Sequence, residues 1–211
     1  MKKLPFDLSV YLVTEETLDF GDMTNKIVEA VAGGATAVQL REKKASSLTF
    51  YRKASQLKQI LNDLSIPLII NDRVDVALAV GADGIHVGQD DLPLPIIKAL
   101  VPEDMIIGVS VSTLEEALEA ERNGADYIGV GSIFPTNTKR DATIMTEGEL
   151  EKICSNVSIP SVAIGGITAD NIHTLSESGI SGVAVVSAII QAKNPHDAAK
   201  FIANAVQSFT N

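Results

Sequence analysis

The chain has 211 residues, 45% of them hydrophobic, and a formal charge of −10. That length buries one good core, whereas two domains would each be small. The negative balance excludes broad binding to nucleic acid or anionic membranes, which call for a basic surface. Any anionic ligand must therefore be held by a local cluster of cations that opposes the overall field. The chain contains no apolar stretch of roughly 18 residues, and the opening MKKLPFDLSVYLVTEE turns polar too early for a signal peptide. A soluble, cytoplasmic protein is expected. Cys154 is the only cysteine, so neither an internal disulfide nor a thiolate zinc site is possible, and it reads as a packed helix residue.

Eight short apolar runs alternate with helical patterns. The runs are LSVYLVT (8–14), ATAVQLR (35–41), PLIIN (67–71), DGIHV (83–87), MIIGVS (105–110), DYIGVGS (126–132), PSVAIGG (160–166) and SGVAVVS (181–187). Helix signals fall between them, from MTNKIVEAVAGG through LTFYRKASQLKQILNDL and TLEEALEAERNG to ADNIHTLSESG and PHDAAKFIANAVQSF. Thr113 with Glu116, and Thr146 with Glu149, have capping-box spacing, and Gly34, Gly124 and Gly179 stand where helices should end. GGATAV, VGADGI, NGADYI and SGISGV form a weak internal repeat that carries a helix end into each even-numbered strand. Repeated βα units of this length predict one (β/α)₈ TIM barrel over residues 1–211. An open doubly wound sheet is the alternative, disfavoured because no Gly-rich dinucleotide fingerprint follows the first run.

In such a barrel ligands bind at the C-terminal ends of the strands, so the residues after each run belong together. A period of two puts Ala35, Ala37, Gln39, Arg41 and Lys43 on one face of the second strand. Small residues then lie deep, and two cations rise toward the mouth. Arg presents a planar fork and Lys a mobile point charge, which together suit a phosphate or diphosphate. Asn71 and Asp72 end the third run, and Asp91 follows the fourth. Two carboxylates on neighbouring strand ends suit Mg²⁺, which takes one or two of them and completes its shell with water and substrate phosphate. Helix capping is the other reading of Asp72, and Asp90 should face solvent or cap the next helix.

His86 alternates with Gly84 and Gly88 and should point into the barrel, either as a hydrogen-bonded core residue or as a catalytic one. Ser110 closes the fifth strand, within reach of a ligand. His173 and His196 fall in helical stretches and should lie outside. The sixth loop, GSIFPTNTKRDATIMT, is long and holds Thr136, Asn137, Thr138 and Lys139, a dense set of donors. At the last two strand ends, Gly165 and Gly166 permit close backbone approach and Ser187 adds a hydroxyl, as in barrel phosphate sites, although either could be a plain tight turn. Two separate anion sites, and hence two phosphorylated substrates, are expected.

YLVTE, QLREK, NDRVDVALAVGADGIHVGQDDLP, GVSVS, FPTNTKRDA, AIGGI and VVSAI, in that order, resemble the thiamine-phosphate synthase family along essentially the whole chain. Glu15 stands where many members carry Asp. The resemblance implies a transferase that joins 4-amino-2-methyl-5-pyrimidinylmethyl diphosphate to a thiazole phosphate, with or without a carboxylate, and releases diphosphate. Carried over by motif, Gln39, Arg41, Lys43, Asn71, Ser110 and Lys139 would contact the pyrimidine diphosphate, with Arg41, Lys43, Ser110 and Lys139 the catalytic set. Thr136, Asn137, Thr138, Gly166, Val186 and Ser187 would surround the thiazole phosphate, and Asp72 and Asp91 would bind Mg²⁺. Two other functions compete with this one. A thiazole tautomerase on a similar barrel would need neither the diphosphate cations nor the paired aspartates. A non-catalytic barrel that binds a phosphorylated metabolite would need no metal placed for leaving-group departure.

Overall fold

The computed structural model describes residues 4–136 and 144–209. Its eight parallel strands close into a barrel in sequence order, β1 to β8, with β8 pairing back to β1. The strands are β1 (Val10–Val13), β2 (Ala37–Leu40), β3 (Leu68–Asn71), β4 (Gly84–Val87), β5 (Ile106–Val111), β6 (Tyr127–Val130), β7 (Ser161–Ile164) and β8 (Gly182–Val185). Each lies within or one residue beyond its apolar run. The connecting helices are α1 (Phe20–Ala32), α2 (Ser47–Asp63), α3 (Val74–Val80), α4 (Leu94–Leu100), α5 (Leu114–Arg122) and α6 (Glu149–Asn156). A short α7 (Ser187–Ile190) and a long α8 (Pro195–Gln207) follow β8. The expected (β/α)₈ barrel is the fold, and among the described residues no helix is long and apolar enough to cross a membrane.

Alternation along the strands creates two cores. Outward residues such as Val10, Leu12, Val38, Leu40, Ile70, Ile85 and Ile128 pack against the helices in the larger one. Inward residues, among them Tyr11, Val13, Ala37, Ile69, Ile106, Tyr127 and Val162, fill the barrel itself. A one-residue slip would exchange these sets, so burial on both faces locks the register. That register sets Asn71 beside His86, and Ser110 beside Gly129, at the upper layer of the barrel.

Helix starts follow local chemistry. Asp19, Ser46, Thr113 and Asn194 each accept a hydrogen bond from a first-turn backbone N–H, and Pro195 occupies the start of α8, where its missing donor costs nothing. Two expectations fail. Thr146 does not cap α6: Gly148 is the cap residue, and the Glu149 carboxylate accepts instead from Leu114 N–H at the start of α5, 3.0 Å away. ADNIHTLSESG forms only a 3₁₀ turn over Ile172–Leu175. The Asn171 side chain spends its amide on the preceding loop, accepting from Thr168 N at 2.8 Å and donating to Gly166 O at 2.9 Å, so it competes with helix formation.

Candidate active site

A cavity of about 400 Å³ opens at the C-terminal ends of the strands, lined by residues from Tyr11 on β1 round to Ser187 after β8. Of the sequence-derived candidates, Gln39, Arg41, Lys43, Asn71, Asp72, Asp91, Ser110, Thr136, Gly166, Val186 and Ser187 all line it. Asn137, Thr138 and Lys139 lie outside the described residues.

On the β2 to β4 side the charges are interlocked. Lys43 Nζ lies 2.5 Å from Asp72 Oδ2. The β2–α2 loop that carries Lys43 is held from below by Glu16, which accepts from Lys43 N at 2.9 Å and Lys44 N at 3.2 Å. Burial works against the Glu16 anion, yet these donors and the Lys44 ammonium hold its carboxyl below the ordinary value. Thr14 supports the same segment by accepting from Arg41 N at 3.0 Å.

Asp72 is no helix cap. Arg73 occupies the cap position of α3 without a side-chain bond. Asp72 itself sits at φ 62°, a left-handed conformation rare outside glycine and enriched at functional sites. That turn places its carboxyl near Asp91. Burial first, and then the neighbouring Asp72, push Asp91 above its ordinary value, against the pull of Gly88 N–H at 2.7 Å from Asp91 Oδ2. Two neighbouring carboxyl groups are relieved by a cation, and Lys43 already supplies one to Asp72. Asp90 is exposed, as expected.

The opposite side, built from β6 to β8, is made of backbone. Phe134 N donates to Gly165 O at 3.0 Å, and Ile133 N to Ile164 O at 3.0 Å, so the start of the β6 loop is zipped onto the end of β7. This closeness demands glycine: a Cβ on Gly166, whose φ is +65°, would stand 2.4 Å from Pro135 O. Val186 and Ser187 border the same space where β8 turns into α7.

Between these two sides the barrel floor is polar. His86 is 7% exposed, with Nδ1 2.9 Å from Tyr127 Oη and Nε2 2.8 Å from Ser110 Oγ. Burial drives the imidazole down to about 4 despite the opposing charge of Asp72, so His86 is neutral near pH 7 with both ring nitrogens in hydrogen bonds. Tyr127 Oη is 2.9 Å from Tyr11 Oη, which receives Gln39 Nε2 at 2.8 Å. Sequence reasoning missed both tyrosines. The inward period of Tyr11, shared with Val13, was the available signal; for Tyr127 the pointer was that Gly108 and Gly129 leave its ring and His86 room. Asn171, which braces Gly166, was missed as well. His173 is exposed and His196 half-buried, both away from the cavity.

Comparison with known proteins converges on one family. Residues 10–189 match the family model described as thiamine monophosphate synthase. The chain is 53% identical over 189 residues to the thiamine-phosphate synthase of Methanobrevibacter smithii, covering 90% of both chains. It is 50% identical over 203 residues to that of Clostridium beijerinckii, covering 96% of this chain and 97% of the relative. Among solved structures, the thiamine phosphate pyrophosphorylase of Pyrococcus furiosus superposes with a TM-score of 0.89 at 41% identity, over 97% of this chain and 98% of that one. Likeness at this identity, spread over nearly the full length of both partners and including the strand ends that build the cavity, makes the chain a member of the thiamine monophosphate synthase family.

Proposed function

We propose that this protein is a thiamine-phosphate synthase that joins 4-amino-2-methyl-5-pyrimidinylmethyl diphosphate to 4-methyl-5-(2-phosphoethyl)thiazole, or its carboxylated form, and releases diphosphate. The observation that carries the reading is the two-sided cavity: cations and paired carboxylates at the ends of β2 to β4 face a glycine-built backbone surface at the ends of β6 to β8. One side suits a diphosphate with a metal, the other a phosphate held by N–H groups.

Asp72 and Asp91 fit Mg²⁺ on their own chemistry, since two neighbouring carboxylates offer the hard oxygen ligands that a small divalent cation takes. Among the described residues they are not joined by a third metal-binding side chain. This agrees with an ion that completes its shell with water and substrate. Bound there, Mg²⁺ would supply Lewis-acid stabilisation of the diphosphate oxygens.

In this reading Gln39 and Asn71 hold the pyrimidine, and Arg41, Lys43 and Lys139 meet the diphosphate. As the C–O bond breaks, its electron pair leaves with the diphosphate. The three cations stabilise that growing charge more than they stabilise the ground state, which is what lowers the barrier. The pyrimidinylmethyl cation is stabilised by its own ring amino group. Thr136, Asn137, Thr138, Gly166, Val186 and Ser187 hold the thiazole phosphate so that the ring nitrogen faces the cationic carbon, and the nitrogen lone pair forms the new C–N bond. Two bound reactants then react as one. No protein nucleophile is needed.

The test is an endpoint assay with purified protein, Mg²⁺ and both substrates, with thiamine phosphate read after oxidation to its fluorescent product. Signal lost on omission of any component supports the synthase, whereas folded protein that gives none refutes it. Folded protein that forms no thiamine phosphate but isomerises the thiazole phosphate, and does so equally well with Lys139→Ala and Asp72→Ala, would point to a tautomerase.

A further inference from the structure

The polar floor of the cavity is a single unbroken chain of hydrogen bonds. It runs from Gln39 on β2 to Tyr11 on β1, Tyr127 on β6, His86 on β4 and Ser110 on β5, with successive separations of 2.8, 2.9, 2.9 and 2.8 Å. Gln39, Tyr11, Tyr127 and His86 are each buried. The room they occupy is made by glycine: a Cβ on Gly108 would stand 2.1 Å from Tyr127 Cζ, and one on Gly129 3.1 Å from His86 Cε1. At the far end Ser110 opens onto the cavity.

The orientation of the Gln39 amide, with Nε2 toward Tyr11, gives this chain a direction. The amide nitrogen of Gln39 donates and cannot accept. Tyr11 Oη receives that bond and has one proton of its own, which goes to Tyr127 Oη. Tyr127 in turn gives its proton to His86 Nδ1. A cationic His86 would break the order, because its Nδ1–H would face the Tyr127 proton and leave a buried donor without a partner, at substantial cost. The imidazole is therefore neutral with its proton on Nε2, and that proton goes to Ser110 Oγ. Ser110 is left with one proton and one direction in which to give it, the cavity.

We propose that Gln39, acting through Tyr11, Tyr127 and His86, fixes Ser110 as a hydrogen-bond donor to an anionic oxygen of the ligand. The four act as positioning residues. The consequence is unexpected from geometry alone. A His–Ser pair at 2.8 Å in a cavity has the look of a base and its nucleophile, but here the histidine nitrogen facing the serine already carries a proton and cannot take another from it. The device selects for anion binding and against nucleophilic attack by Ser110. The proton order stands on the orientation of the Gln39 amide and the bonds that follow from it, while the identity of the anion as diphosphate rests on the function proposed above.

Histidine tautomers are read directly by long-range ¹H–¹⁵N correlation, and with three histidines in the chain the His86 signals are assigned by their loss in His86→Asn. The wild type is expected to show His86 in the Nε2–H form alone. Gln39→Glu places at the head of the chain a group that, once ionised, can only accept, so at about pH 9 every bond should reverse and His86 should appear as Nδ1–H. Gln39→Met, nearly the same size and without a donor, should show both tautomers, and it serves if the glutamate variant does not fold. Wild-type Nδ1–H, or Nε2–H unchanged in the substituted protein, overturns the proton order.

The second measurement is calorimetric binding of inorganic diphosphate with Mg²⁺. Ser110→Ala should weaken it about tenfold, as expected for loss of a hydrogen bond to a charged group. Equal affinity overturns the donor role of Ser110. Wild-type protein that binds no diphosphate overturns both the anion assignment and the proposed function, while the tautomer spectrum still decides the proton order.

Discussion

Acid should destabilise this protein through His86, and the size of the effect follows from its burial. The folded imidazole titrates at about 4, against 6.5 for an exposed one. Between those values the unfolded chain binds a proton that the folded chain refuses, so stability is lost as pH falls from about 6.5 to about 4. The full gap is worth about 3 kcal/mol. About 2 kcal/mol of it is already expressed by about pH 5, a large share of the roughly 5–15 kcal/mol that holds a typical domain together.

Other groups titrate nearby and must be separated. Glu16 and Asp75, held below their ordinary values, lose their contributions lower, as pH falls past 4.5 and 3.8 toward their folded values. Asp91, raised by burial and by Asp72, works in the opposite sense. All three are common to wild type and to His86→Asn, whose amide oxygen is able to accept from Tyr127. The assay is urea unfolding by circular dichroism at steps from about pH 7.5 to 4.5 on both proteins. At pH 7 the variant should be less stable through lost packing, but the gap should narrow by about 2 kcal/mol at pH 5. A gap that stays constant across this range refutes the buried, neutral imidazole.

Three further outcomes are expected. Gly108→Ala drives a methyl to 2.1 Å from the Tyr127 ring and should cost about 1–3 kcal/mol by overpacking, read as a lower urea midpoint with unchanged slope. Glu16→Ala frees the backbone N–H groups of Lys43 and Lys44, so KM for the pyrimidine diphosphate should rise several-fold while KM for the thiazole phosphate holds; equal rises would deny Glu16 its link to Lys43. Because the cationic side of the cavity works against a net charge of −10, binding of the pyrimidine diphosphate should depend strongly on Mg²⁺. Equal affinity in chelator, measured by calorimetry, would count against Asp72 and Asp91 as its ligands.

Much of this molecule was legible in the sequence because its signals are local. A βα repeat, β-branched runs of strand length and cap residues at helix starts depend on neighbours a few positions away, and they were enough to reach the closed barrel. The barrel architecture then turns a one-dimensional rule, the residue after each strand, into a three-dimensional one. That is how the positions of Arg41, Lys43, Asp72, Asp91, Gly166 and Ser187 after their strands already place them at one cavity. Where the local signal was ambiguous the reading failed: Thr146 had the spacing of a cap and ADNIHTLSESG the pattern of a helix, but Glu149 and Asn171 found partners elsewhere in the fold.

What only the tertiary structure decided is which groups meet across the barrel. Tyr11 and Tyr127 lie 116 positions apart, and nothing near either one announces a hydrogen bond between them. The same holds for the choice of partner at His86, whose ring nitrogens meet Tyr127 and Ser110, and at Asp72, which pairs with Lys43 and does not cap α3. Those choices depend on burial and on the identity of the facing atom. Strand register and closure set both, so the sequence determined which chemical groups reach the mouth of the barrel, and the tertiary structure decided their partners.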